Sequence, residues 1–136
     1  MMEKKHRIDD ALEAVRAAQE AGIVPGGGIA LLRASRALDG IHGDNEEQNY
    51  GIQVIREACT APLRQMSKNA GESPDLIIEK VSALEDDEGF DFLRRETTNL
   101  FESGIIDPCK VTTSALQNAA SAAGTLLTTS HAIVYT

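Results

Sequence analysis

The stretch from about Cys109 to Thr128 sets Ala115, Ala119, Ala120, Ala122, Ala123 and Gly124 among a few larger apolar residues, Leu116, Leu126 and Leu127 among them. Small side chains let helices approach closely, and a helix apolar on so many sides is expected to be buried on most of them. The spacing therefore predicts a long helix inside something larger than a three-helix bundle. After it, His131-Ala132-Ile133-Val134-Tyr135-Thr136 is rich in β-branched residues, and Ala132–Tyr135 reads as a terminal strand. A lone strand needs a partner, and the rest of the chain offers almost none.

Length does not impose this dependence on neighbours. A chain of 136 residues can bury about 68% of its unfolded surface around one core, enough for folding without disulfides or a metal. The expectation from the helix and strand is instead that part of the apolar surface lies open, so that the chain self-associates or packs loosely. Thirteen Lys and Arg against 21 Asp and Glu give a net charge of −8, which argues against a nucleic-acid or membrane-surface binder, since phosphate neutralisation needs clustered cations. No apolar run approaches the roughly 18 residues of a membrane span, and no apolar segment follows the charged start, so a cytoplasmic location is expected. Cys59 and Cys109 show no spacing suited to zinc and read as reduced small side chains; no metal ligands are assigned.

Along the chain, residues 3–21 predict a charged amphipathic helix, with Ile8, Ala11, Leu12, Val15 and Ala18 at helical spacing and Gly22 as its stop. Ile23-Val24-Pro25 is a brief extended piece. Gly26-Gly27-Gly28 then turns directly into a helix that should end near Leu38-Asp39-Gly40. A long helix is predicted from about Glu46 to Asn69, kinked or broken just before Pro62, because proline removes a backbone hydrogen bond and clashes with the preceding turn. Ser73 or Asp75 is expected to cap a helix over Leu76–Leu84. Glu85-Asp86-Asp87-Glu88 lacks the alternating ligand spacing of a calcium loop and reads as a solvated turn. Residues 89–93 predict a short extended or hairpin element, 94–103 a polar helix, and Asp107 a cap for the last helix.

Several blocks, in order and at matching separations, resemble one family. They are Asp9-Asp10-Ala11-Leu12, Gly22-Ile23-Val24-Pro25-Gly26-Gly27-Gly28-Ile29-Ala30-Leu31, Asn45-Glu46-Glu47-Gln48-Asn49-Tyr50-Gly51-Ile52, Ala61-Pro62-Leu63-Arg64-Gln65, and Gly104-Ile105-Ile106-Asp107-Pro108 followed by Lys110-Val111-Thr112. Over essentially the whole chain the sequence is similar to the group I chaperonins, the GroEL type. The resemblance implies a mainly α fold: part of an equatorial-domain-like helical bundle, with a short hairpin and a C-terminal strand. Residues 1–21 would be an intermediate-domain helix and 22–136 the second half of the equatorial ATP-binding domain. It further implies heptameric rings, paired in a double ring, that refold client proteins with ATP, Mg²⁺ and a co-chaperonin. The client-binding domain and the phosphate-binding loop fall upstream of the matched part, so most Mg²⁺ contacts are expected outside this chain.

Carried over residue by residue, the resemblance makes Asp10 the acid that positions the attacking water, a role suited to phosphoryl transfer, where catalysis is largely positioning and electrostatics. Gly27 becomes a nucleotide-contacting glycine, and its missing Cβ would allow close backbone approach. Asp107 becomes the ribose-binding acid, and Asp91, Phe92 and Leu93 the adenine contacts. At the last three the sequence departs from the family's asparagine and two alanines, so base contacts are expected to differ. Glu46, Arg64 and the Glu72-Ser73 turn match the ring-to-ring surface, where Ser73 replaces an acid. Lacking the phosphate loop, the chain alone is expected to show no ATPase activity. The other readings are a non-catalytic helical module that self-associates, and an unrelated small nucleotide enzyme built on the glycines, which would need a basic residue closer to them than Arg33 or Arg36.

Overall fold

The structure, a computed structural model, describes residues 2–134, with side chains from Lys5 onward. The chain divides into two units, Met1–Gly22 with Pro108–Thr136, and Ile23–Asp107.

The first unit is a pair of long helices, α1 (Met2–Ala21) and α6 (Cys109–Leu127), packed on each other. Gly22, at φ 80°, ends α1 in the left-handed conformation that glycine adopts without a Cβ penalty, and its amide donates to the Ala18 carbonyl at 2.8 Å. The Cys109 amide donates to the Gly22 carbonyl at 3.0 Å, and Lys110 pairs with Glu20. The long alanine helix forms with nearly the predicted bounds, but no residue of α6 is buried, and Leu126 and Leu127 are 72% and 86% exposed. Alanine's high helix propensity is enough to form the helix without enclosure, and within this unit only α1 packs against it. Residues 131–134 form no strand, since no strand among the described residues pairs with them; Tyr135, the end of the predicted strand, lies outside the described residues.

The second unit holds the core. Strand β1 (Ile23–Pro25) pairs with β4 (Ile106–Pro108), and the glycine turn leads into α2 (Ile29–Ala34), which tightens into a 3₁₀ turn over Ser35–Leu38. Asn45 caps α3 (Glu46–Ala58) by accepting the Gln48 amide at 2.9 Å, while Gln48 Oε1 accepts the Asp44 amide at 2.7 Å. Glu46 and Glu47 in the first turn and Arg56 in the last match the helix dipole. The predicted break before Pro62 is present: α3 stops at Ala58, and α4 (Ala61–Asn69) begins afresh with Pro62 in its first turn, where the missing N–H is harmless. Helix α5 (Pro74–Ser82) has Ser73 at its N-cap position without a side-chain hydrogen bond, and Asp75 Oδ1 instead accepts Arg64 Nη1 at 2.6 Å.

Where a polar helix was predicted over 94–103, the chain folds back as strand β3 (Glu96–Asn99), antiparallel to β2 (Glu88–Asp91) with Glu88 opposite Asn99 and Asp91 opposite Glu96. Two neighbouring β-branched residues, Thr97 and Thr98, favour the strand. Arg95, at φ 58°, supplies the left-handed step that closes the turn.

Ile29, Leu63, Ile77, Val81, Phe90 and Leu100 form the buried cluster, with Leu32, Ile78, Phe92 and Ile105 against it. Phe90 and Phe92 meet edge to face, their centroids 5.1 Å apart. Cys59 is buried, and desolvation pushes its thiol pKa up, which keeps it protonated and unreactive. Leu63 is fully enclosed, so Leu63→Ala is expected to lower the unfolding free energy by about 2–5 kcal/mol, measured by urea denaturation with intrinsic tyrosine fluorescence.

Candidate functional site

The three glycines of the turn are constrained differently. A Cβ on Gly26 would lie 3.0 Å from the Ile105 carbonyl carbon, and the Gly26 amide donates to the Ile105 oxygen at 2.9 Å. A Cβ on Gly28, at φ 77°, would lie 2.9 Å from the backbone nitrogen of Leu63. These two glycines are therefore required by close backbone packing. Gly27, at φ 72°, is different: a Cβ there would make only ordinary contacts, 3.8 Å from Ile105 Cγ2 and 3.9 Å from the Phe90 carbonyl oxygen. Its need for glycine comes from backbone conformation alone. Helix α2, which it precedes, has only six residues, so its dipole is short.

The fold brings Gly27 beside Phe90, at the approach to Asp91, and beside Ile105, at the approach to Asp107. Asp91 sits at the end of β2, nearly buried, and its Oδ1 accepts the amides of Leu93 at 2.8 Å and Arg94 at 3.2 Å. Arg94 Nε lies 3.9 Å from Oδ2. This is an Asx turn closing the hairpin, and it occupies the carboxylate with the chain's own backbone. Phe92 turns its ring toward Phe90, whereas Leu93, 92% exposed, stands out at the hairpin tip.

Asp107 is half-buried in β4. The N-cap of α6 is Pro108, with no side-chain cap bond, so Asp107 does not serve as the predicted cap. Its carboxylate has no hydrogen-bond or ion-pair partner among the described residues, and desolvation raises its pKa above the ordinary aspartate value. A half-buried carboxylate without a partner is suited to accept a hydrogen bond from a hydroxyl group.

Asp10 lies in the first unit, exposed on α1, beside the groove that α1 forms with α6 near Glu13, Ala14 and Lys110. Among the described residues no group of three or more His, Cys, Asp or Glu side chains converges on a metal position. Around Gly27 the fold leaves backbone accessible beside the Phe90–Asp91 and Ile105–Asp107 segments, with no such acid cluster among the described residues. Of the residues matching the ring surface, Arg64 is taken up internally by Asp75, Thr60 and Glu57, and Glu72 pairs with Arg95 at 3.5 Å.

Two contributors were not legible in the sequence. Lys80 places its ammonium 5.2 Å from the Phe90 ring centre, a contact between α5 and β2 that no local spacing signals. Ile105, which the sequence shows only as one residue of the matching block around Asp107, forms the wall beside Gly26 and Gly27.

The chain is mainly helical, with a glycine turn and a short hairpin, an arrangement consistent with part of a mainly α chaperonin domain. The TCP-1/cpn60 chaperonin family model matches residues 1–135, and the chain belongs to that family. Membership carries with it the oligomeric assembly general to chaperonins. No helix among the described residues is long and apolar enough to cross a membrane.

Burial sets the sign of a pH effect at Asp107. A raised folded-state pKa means that the folded chain holds this proton more tightly than the unfolded chain, so its contribution to stability falls as pH rises from the ordinary aspartate value through the raised one. Asp107→Asn is expected to gain stability relative to the parent across that window and to hold the gain at neutral pH, read by thermal melts at stepped pH. Gly28→Ala should destabilise the fold by more than about 1 kcal/mol, and Gly27→Ala, with no close backbone contact, by less than Gly28→Ala; urea titrations give the ranking.

Proposed function

We infer that the chain is part of a group I, ATP-dependent protein-folding chaperonin, with 1–21 belonging to its intermediate domain and 22–136 to its equatorial domain. The observation that carries this reading is the convergence of Gly27, the Phe90–Asp91 strand end and the Ile105–Asp107 segment in a chain matched by the chaperonin family over residues 1–135. Gly27 offers open backbone to a ribose or base. Asp107 accepts a ribose hydroxyl. The adenine rests against the hairpin turn, where backbone and the exposed Leu93 make the contact, because the Asp91 carboxylate is held by the Leu93 and Arg94 amides.

Asp10 is the water-positioning carboxylate of this reading. Mg²⁺, bound with the triphosphate, would neutralise phosphate charge. Its ligands come mainly from parts of a ring subunit other than those present here, as do the surfaces for clients and co-chaperonin. Ring assembly in heptamers, and rings in pairs, belong to the same proposal.

Two experiments test it. Adenosine nucleotide binding, followed by amide shifts in heteronuclear NMR, should perturb Gly27, Phe92–Leu93 and Asp107, and Asp107→Asn should weaken it about ten-fold or more, as expected for a hydrogen bond to a charged group. Shifts confined to other residues overturn the nucleotide assignment. In a phosphate-release assay the 136-residue chain should show no turnover; turnover abolished by Asp10→Ala would refute that expectation.

A second reading, a helical module that self-associates without ATPase activity, is favoured by one observation: Ile8, Leu12 and Val15 on α1 and Val111, Leu126 and Leu127 on α6 are all exposed. Sedimentation equilibrium should then show association that rises with concentration, and a monomer with a sharp cooperative melt argues against it.

A further inference from the structure

Arg33 sits one turn beyond Ile29 on the same side of α2, and its side chain is only 10% exposed. One terminal nitrogen, Nη2, donates to three carbonyls of the segment that runs from α5 into β2: Val81 at 2.9 Å, Glu85 at 2.7 Å and Glu88 at 3.3 Å. The charge is balanced by the Asp86 carboxylate, 3.9 Å from Nε, and by that of Glu88. No further ion is called for.

Two of the three carbonyls do not need Arg33 to be satisfied. That of Val81 also accepts the Leu84 amide at 3.1 Å, and that of Glu85 the Glu88 amide at 3.1 Å. Burying a guanidinium costs desolvation, and an apolar side chain of similar volume in such a place is often as stabilising or more so. An apolar side chain does not, however, draw a helix end, a loop and a strand to one point. Directed bonds to all three do.

The consequence lies in how β2 meets the glycine turn. Arg33 holds the Glu88 carbonyl, Ile29 Cδ1 fills the space where a Cβ on Gly89 would stand, and the Cβ that Gly27 lacks would lie 3.9 Å from the Phe90 carbonyl oxygen. Stepping back from 33 to 29 to 27 on one side thus steps forward from 88 to 89 to 90 on the other. Only the Arg33 contact is a directed bond, which fixes β2 along its own axis as well as in distance. Strand β2 is four residues long and laddered to β3, so a displacement at Glu88 carries through to Asp91 and the hairpin tip.

Arg36 supplies a contrast. It reaches the same loop, but its bonds end on Asp86 at 2.7 Å and on the Ser82 carbonyl at 3.4 Å, short of β2. Its side chain is 47% exposed, and surface pairs of this kind contribute little.

We propose that Arg33 is a positioning residue for the nucleotide: by pinning the first residue of β2 to α2, it sets the spacing between Gly27 and the hairpin tip, and so the fit of the base. Arg33 itself touches no part of the ligand. Its role toward the base rests on the nucleotide reading above, whereas the pin is a property of the free chain.

The test uses the whole chain, with adenosine monophosphate as the probe and NMR as the readout. In Arg33→Met the cross-relaxation between the Ile29 δ-methyl and the Gly89 α protons should weaken, while that among Leu63, Ile77 and Val81 persists. Nucleotide affinity should fall about five-fold or more, the lower range of coupling between separate sites. Arg33→Lys, whose ammonium also brings several donors to one point, should restore the Ile29–Gly89 contact and hold affinity within about three-fold of the parent. Arg36→Gln should leave both readouts unchanged, and urea titration establishes that each variant is folded under the binding conditions. If Arg33→Met does not fold, the parent chain decides: its Arg33 Nη2 resonance should move with nucleotide at the same midpoint as the Leu93 amide, as reciprocal coupling requires. No movement at saturation overturns the proposal. So does an unchanged Ile29–Gly89 contact in Arg33→Met, an affinity loss that Arg33→Lys does not restore, or an equal loss in Arg36→Gln. Silence of Leu93 and Asp107 toward the nucleotide in the parent refutes the nucleotide reading instead, and the Ile29–Gly89 contact, read without ligand, then still separates a pin from its absence.

Discussion

The contact on which the larger unit depends is the seating of Gly28 on the first turn of α4, so close to the Leu63 backbone that a methyl group would not fit. That approach sets the distance between the glycine turn and α4. It lets Ile29, the next residue, enter the core fully and meet Leu63 and Phe90. Gly89 answers the same need from the hairpin side, where a Cβ would collide with the side chains of Ile29 and Leu100. Two glycines thus bracket one isoleucine, and the hairpin, α2 and α4 are held around it.

Much of this was legible from local chemistry. Pro62 announced the break between α3 and α4, Gly22 the end of α1, and the alternation of glycine turn and apolar run the start of α2, because each acts through its own backbone. What was not legible depended on partners distant in sequence. The strand over Glu96–Asn99 looked polar enough for an exposed helix until β2 and the Asp91 turn gave it a ladder to join. The enclosure expected for α6 was an inference from composition, and composition does not say how many helices will be present to enclose it.

The same division runs through the candidate site. Gly27 and Asp107 could be picked out by likeness to a family, but only coordinates separate Gly27, constrained by φ, from its two neighbours, constrained by packing. Asp91 illustrates the limit most clearly: its identity suggested a ligand contact, whereas its carboxylate is committed to two amides of the turn it closes. Arg33 was legible only as a basic residue set too far from the glycines, since the burial of its side chain, 10% exposed, is created by α5 and the acidic loop after it, whose Val81, Glu85 and Glu88 carbonyls it donates to.

The pairing of β1 with β4, reinforced by the bond from the Gly26 amide to the Ile105 carbonyl, has a topological meaning. The chain enters and leaves the segment Ile23–Asp107 through adjacent, hydrogen-bonded strands, which makes that segment a cassette with neighbouring termini. A cassette of this kind can be lifted out, closed by a short linker or inserted into another helix pair without stretching its backbone, as with domain insertions that tolerate nearby ends.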